Sequence, residues 1–216
     1  MKRNRVLSLK YFFYDFVRVT GAPGFLFFRP KRIYEGKKSK DMFKGGFLLA
    51  SNHISIFDPM YMHYAVPSRR HHSLIAKEFA RNKFLKWMFL VGAQCILLDR
   101  KNMDMSTFKE IVDRLKNGEM ITIYPEGRVN DTSESLQTYK SGVVMMALRS
   151  HKRIVPIYLK RREHWYSRLV YVIGKPIDVY DFAKGKMLTI EEINEVSKYL
   201  ENKEKELEQI ALRGGR

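Results

Sequence analysis

The feature that most constrains this chain is an alternation. From Lys31 to Ile173, short apolar runs of strand length alternate with amphipathic or polar stretches. Apolar strands of this kind must be covered by the segments between them, which predicts an α/β domain. The runs place strands at residues 32–34, 47–51, 73–76, 94–98, 120–124, 154–159 and 169–173. The clearest helix spans 106–116, where Phe108, Ile111, Val112 and Leu115 share a face and Asn117-Gly118 supplies the stop. A second follows Ser141 through Val143, Val144, Met145 and Ala147. The last opens at Thr189-Ile190-Glu191-Glu192, a capping-box spelling, and its charged run toward Arg216 reads as a solvated face. At 216 residues the chain suits one domain with a proper core. The expectation is a single α/β domain over 31–216, its mostly mixed central sheet of about seven strands flanked by helices.

Residues 1–30 read differently. Lys2, Arg3 and Arg5 precede an aromatic run of Tyr11, Phe12, Phe13, Tyr14 and Phe16, interrupted by Lys10, Asp15 and Arg18. It is too broken for a secretory leader and lacks the roughly 20 apolar residues of a spanning helix. A second patch, 25–28, follows Gly21-Ala22-Pro23-Gly24, and cations then crowd in: Arg29, Lys31, Arg32, Lys37, Lys38 and Lys40. Aromatics beside cations suit an amphipathic helical segment docked on an anionic membrane surface. A core helix followed by a solvated basic loop is the plainer alternative. The expected location is peripheral or monotopic, on the cytoplasmic face of a membrane. The net charge of +17 attracts anions without choosing among phosphates, nucleic acid, acidic proteins and lipid headgroups. The one cysteine, Cys95, excludes an intrachain disulfide and, within an apolar strand, reads as core. No metal-ligand spacing is present in the sequence, and no metal is expected.

Chemistry concentrates after the second predicted strand, in Asn52-His53-Ile54-Ser55-Ile56-Phe57-Asp58-Pro59. A residue just past a strand's carboxyl end lies where open α/β sheets form crevices. Five residues and one turn can return the Asp58 carboxylate to the His53 Nδ1–H, leaving Nε2 free to accept a proton. Asp58 before Pro59 is equally an N-cap, and one His-x4-Asp pair arises readily by chance. Three further blocks accompany it: Leu97-Leu98-Asp99-Arg100, Tyr124-Pro125-Glu126-Gly127-Arg128 and Ile154-Val155-Pro156-Ile157. In this order and at these intervals the four resemble the motif blocks of the lysophosphatidic acid acyltransferase family of glycerolipid acyltransferases. That pattern reads Asn-His-x4-Asp, hydrophobic-Asp-Arg, Pro-Glu-Gly-Thr-Arg and a block around Val-Pro-Ile. Ala76-Lys77-Glu78 and Tyr139-Lys140-Ser141-Gly142 also look like family segments. One block departs: Arg128 follows Gly127 directly, without the usual threonine.

The resemblance implies transfer of a fatty acyl group from a thioester to a lysophospholipid hydroxyl, foremost 1-acylglycerol-3-phosphate giving phosphatidic acid. Glycerol-3-phosphate or another lysolipid is the alternative acceptor. The donor is acyl-CoA or an acyl-carrier-protein thioester, and no cofactor is implied. His53 becomes the general base and Asp58 its orienting partner. Arg100 and Arg128 offer bidentate forks for the acceptor phosphate. Glu126 holds an arginine or receives the glycerol hydroxyl, Gly127 belongs to the same substrate-binding block, and Lys77, Lys140 and Pro156 are further candidates. His63, His71, His72, His151 and His164 have no partner spacing and read as structural. A hydrolase using His53 and Asp58 to activate water competes with this reading. So does a nucleic-acid-binding module, but no nucleic-acid motif supports it and nucleic acid is not an expected partner.

Overall fold

A computed structural model describes residues 11–37, 41–80, 82–99, 105–130, 139–185 and 188–214. The chain opens with α1 (Phe12–Thr20) and α2 (Gly24–Phe28), and the strands follow: β1 (Lys31–Tyr34), β2 (Phe47–Ser51), β3 (His71–Ala76), β4 (Ile96–Leu98), β5 (Met120–Ile123), β6 (Ile154–Leu159) and β7 (Val170–Ile173). Between and after them lie α3 (Asp58–Ala65), α4 (Lys83–Trp87), α5 (Met105–Lys116), α6 (Gly142–Ser150) and α7 (Ile190–Gly214). All seven strands join one sheet in the order β1-β7-β6-β2-β5-β3-β4. Pairing is parallel throughout except between β6 and β7, so the sheet is mixed as the alternation predicts. Because β6, β2, β5, β3 and β4 point the same way, their carboxyl ends gather along one edge.

Every residue of β2 is buried, as a parallel strand covered on both faces should be. Leu48 and Ala50 pack with Ile111 and Leu115 of α5, Val144 and Met146 of α6, and Val196 and Leu200 of α7. Phe47 and Leu49 face the other way, toward Tyr61, Met62 and Ala65 of α3. The approach of α5 to the start of β2 requires glycine at 46, where a Cβ would meet the Leu115 carbonyl oxygen at 2.0 Å.

Strand starts are where the alternation misleads. β4 begins at Ile96, because Gln94 adopts a left-handed φ of 52° that an extended strand cannot contain. Cys95 therefore precedes the strand; it is buried, and burial pushes its thiol up to about 12. β3 begins at His71, with His71 and His72 buried inside it. Burial lowers His63 to about 4 and His71 well below the usual histidine value. These two rings are neutral packing elements.

The N-terminal helix is not a free appendage. The Tyr14 hydroxyl accepts the His71 N–H at 2.7 Å and lies 3.1 Å from both His71 O and His63 Nδ1. Asp15 pairs with Arg70 at 2.7 Å, and Arg18 donates to the Pro67 carbonyl. The opposite face of α1 exposes Phe12, Phe13, Phe16, Val17 and Val19. Among the described residues, no helix is long and apolar enough to cross a membrane. Lys2, Arg3, Arg5 and Lys10 lie outside the described residues.

The capping box at the start of α7 forms as its spelling predicts. Thr189 Oγ1 accepts from Glu192 N at 3.2 Å, and Glu192 Oε2 accepts from Thr189 N at 2.8 Å. The charged stretch beyond it is only half solvated. Leu200, Leu207 and Ala211 are buried, and so is Glu204, which accepts from the Tyr139 hydroxyl. Burial, reinforced by the nearby Glu126 and Glu208, raises the Glu204 carboxyl from 4.5 to about 9. The folded protein thus holds a proton that the unfolded chain releases. Stability should fall as pH rises from 4.5 toward about 9. Glu204→Gln, which mimics the protonated acid, should flatten that slope when urea midpoints are compared across the range; an unchanged slope would place the proton elsewhere.

Candidate active site

The site begins where β2 ends. The Asn52 side chain bolts this point to the end of β6, its Nδ2 donating to Leu159 O at 2.9 Å and its Oδ1 accepting from Leu159 N at 2.8 Å. The chain then turns around one atom. Asp58 Oδ2 accepts from Ile54 N at 2.7 Å, from Ser55 N at 2.9 Å and from His53 Nδ1 at 2.9 Å. These bonds run back to residues 53–55, so Asp58 is not the N-cap that its place before Pro59 also allowed. Pro59 is the second residue of α3, where its missing N–H leaves no helical bond unmade.

The segment after β5 clasps His53 from beneath. The Tyr124 ring stacks on the imidazole with centroids 4.2 Å apart and planes 20° from parallel. Glu126 Oε1 accepts the His53 backbone N–H at 3.0 Å, and His53 O accepts from Asn130 N at 2.6 Å. Since a carboxylate only accepts, Nδ1 is the donor, and in the neutral imidazole this leaves the Nε2 lone pair free. Asp58 is wholly buried and His53 is 9% exposed, a nearly dry pair whose imidazole opens on a cleft.

That cleft has a volume of about 200 Å³. Its wall is apolar, formed by Leu74, Leu98, Ile123, Val143 and Met146, while His53, Asp99, Gly127 and Lys140 contribute its polar part. Gly127 has a φ of 74°, and a Cβ there would sit 3.1 Å from the Lys140 Nζ. Glycine therefore serves both the turn and the passage of the lysine. Arg128 follows, exposed, and Lys77 is exposed just past β3 at the same edge. Arg100 lies outside the described residues.

Two of the expected residues lie behind the surface of the cleft. Glu126, expected to hold an arginine or receive the glycerol hydroxyl, is 5% exposed and accepts the His53 backbone N–H. Burial raises its carboxyl above the usual range, opposed first by the His53 N–H that it accepts. Pro156 does not reach the cleft. It is buried in β6, paired in register with Ala50, and a Cβ at Gly174 would come within 2.7 Å of its ring. Conversely, Asn52, Tyr124 and Asn130 shape the site without carrying an expected role of their own. Asn52 and Tyr124 stand inside the motif blocks, while Asn130 lies outside them and the sequence offers no signal for it.

A free imidazole Nε2, backed by a buried carboxylate and opening on an apolar cleft, is the makeup of a general-base enzyme for substrates with an apolar chain. The chain belongs to the Acyltransferase family, which matches residues 30–160. It is similar to the 1-acyl-sn-glycerol-3-phosphate acyltransferase of Bacillus subtilis (strain 168), with 28% identity over 168 residues, 73% of this chain and 82% of that one. It is also 26% identical over 149 residues to the protein of that name from Streptococcus pneumoniae (strain ATCC BAA-255 / R6), spanning 64% of this chain and 52% of that one. Its fold resembles the crystal structure of the LPA acyltransferase PlsC from Thermotoga maritima, with a TM-score of 0.63, 17% identity, and 91% and 79% of the two chains covered.

If Asn52 is the bolt described, Asn52→Ala leaves an N–H and a carbonyl of Leu159 unpaired. It should cost about 3 kcal/mol by chemical denaturation. A loss near zero would mean that the end of β6 is held by other contacts.

Proposed function

We propose that this enzyme moves a fatty acyl group from an acyl thioester to the free hydroxyl of a lysophospholipid, foremost 1-acylglycerol-3-phosphate, yielding phosphatidic acid. The carrying observation is the His53–Asp58 pair at an apolar cleft, and the names of the two bacterial relatives support the acceptor. The acceptor hydroxyl donates to His53 Nε2. As its oxygen attacks the thioester carbonyl, the proton passes to Nε2, and Asp58 stabilises the imidazolium. Collapse of the tetrahedral intermediate breaks the carbon–sulfur bond. The departing thiolate takes the proton back, restoring neutral His53 without an acyl-enzyme. The acyl chain lies along Leu74, Leu98, Val143 and Met146. Arg128 and Lys140, with Lys77 at the same edge and Arg100, supply cations for substrate phosphates. Acyl-CoA and an acyl-carrier-protein thioester both suit so basic a surface.

His53→Ala should lower turnover by about 10²–10⁴-fold with the fold intact. Thioester consumption with and without lysophosphatidic acid separates transfer from hydrolysis. Near-normal transfer by folded His53→Ala would remove His53 from this role, and acceptor-independent consumption would make the enzyme a hydrolase.

We further propose that residues 1–30 dock the enzyme on an anionic membrane, at its cytoplasmic face, and the exposed aromatics support the docking. Phe12 and Phe16 of α1 are 57% and 58% exposed, Leu26 and Phe27 follow on α2, and Phe13 packs edge-on against the exposed Trp87 of α4. Each inserted aromatic adds roughly 1.5–3 kcal/mol at best, and each nearby cation about 1 kcal/mol on anionic lipid. Because Tyr14, Asp15 and Arg18 tie α1 to the domain, the test leaves them in place. Replacing Phe12, Phe13 and Phe16 together by Ser should abolish flotation with anionic liposomes. Undiminished flotation would move the docking surface away from α1.

A further inference from the structure

A second cavity of about 200 Å³ opens on the other side of the catalytic loop. It exists because β7 runs antiparallel to β6, so the connection between them stays at the edge where the loop after β2 emerges. Ile54, Ser55 and Asp58 form its wall toward the catalytic loop, and Lys160, Arg161 and Arg162 line it from the β6–β7 connection. The charged and titratable groups bordering it are thus three cations, the carboxylates of Asp58 and Glu163, His164 and the Tyr61 phenol. Asp58 shares its charge with three N–H donors, and Glu163 is exposed to solvent.

Arg162 is the prepared group here. Its guanidinium lies 4.6 Å from the Tyr61 ring centroid and 5.4 Å from that of Phe28. One terminal nitrogen donates to the Tyr61 hydroxyl and the other to the Trp165 carbonyl, each at 2.5 Å. Both acceptors are neutral, and these two bonds use two of its five N–H groups. A fork fixed in this way, with donors to spare, suits a phosphate in bidentate fashion. Arg161 donates to Asn130 O at 2.6 Å, on the same residue whose N–H holds His53 O. The rim is apolar: Trp165, 72% exposed, stacks on Phe27 of α2 at 5.6 Å, and Ile56 and Phe57 are exposed on the catalytic loop. Cations at the foot of an aromatic rim match a ligand that joins a phosphate to an acyl chain.

We propose that the pocket between the catalytic loop and the β6–β7 connection is a phosphate subsite for a glycerolipid headgroup, with Arg162 as its principal ligand. It is separate from the Lys77, Arg128 and Lys140 edge, and its lipid chemistry rests on the acyl-transfer reading. The phosphate comes from the lysolipid acceptor or from an anionic lipid of the bilayer.

The test is Arg162→Gln in the full chain, which removes the charge and the fork but keeps a donor for Tyr61. Binding is measured calorimetrically in a His53→Ala background, so that no turnover intervenes, with lysophosphatidic acid, the matching 1-monoacylglycerol and coenzyme A. The expected result is about a ten-fold loss of lysophosphatidic acid binding, with the other two ligands unchanged. If that binding holds but flotation on phosphatidate vesicles falls relative to phosphatidylcholine, the phosphate belongs to a bilayer lipid and the subsite stands. A loss confined to coenzyme A overturns the proposal, as does no change in any arm. Equal loss of monoacylglycerol also overturns it, since Arg162 would then be a packing bolt for Tyr61. Lys160→Gln, read in the same arms with a smaller expected loss, decides the matter if Arg162→Gln fails to fold. Failure of the acyl-transfer reading would appear separately, as wild-type enzyme that binds lysophosphatidic acid yet consumes thioester without acylating it.

Discussion

One carboxylate oxygen organises the loop after β2. Asp58 Oδ2 draws two backbone N–H groups and one imidazole N–H onto itself, folding residues 53–58 into a turn. The same contacts fix the His53 tautomer and bring the chain to the first residue of α3. Orientation of the imidazole and entry into the helix are therefore one structural event. A wholly buried carboxylate is stable there because its charge is met by donors and not by bulk water. Its second oxygen, Oδ1, is buried with no hydrogen-bond partner among the described residues.

The sheet makes that turn useful. Parallel strands bring the loop after β2, the segment after β5 and the end of β6 to one edge. His53 is consequently held by groups distant in the chain: Tyr124 by stacking, Glu126 through the backbone N–H, and Asn130 through the carbonyl. Behind this layer, α7 supplies Glu204 to Tyr139, beside the Lys140 that passes over Gly127. A protonated carboxyl at this position avoids placing a second negative charge near Glu126. The helix that looks most polar in the sequence is thus part of the site's foundation.

The loop after β2 divides its surroundings into two unlike hollows. On one side lies a cleft with an apolar wall and His53 at its polar end; on the other, a cationic pocket below exposed aromatics. Exposed rings stand on α1, α2, α4 and the β6–β7 connection. An enzyme handling an amphiphile needs this arrangement, because moving a long acyl chain through water costs about 0.8 kcal/mol per methylene.

The sequence by itself determined the α/β class, the seven strands to within a few residues, the α7 capping box and the His53–Asp58 pair. All of these depend on periodicity or on residues a few positions apart, where local spacing carries the physics. It did not reveal the left-handed turn at Gln94, which no apolar pattern records, or the burial of Glu204 in a charged run. Nor could it distinguish an Asp58 that caps a helix from one that holds an imidazole, since both begin from the same spelling. Glu126 and Pro156 belong to recognisable blocks, yet one holds the His53 backbone N–H and the other packs within β6. Asn52 on Leu159, Arg162 on Tyr61 and Tyr139 on Glu204 join residues 107, 101 and 65 positions apart. Only the tertiary structure decided those contacts, because strand order and direction set which loops meet, and those follow from packing the whole sheet at once.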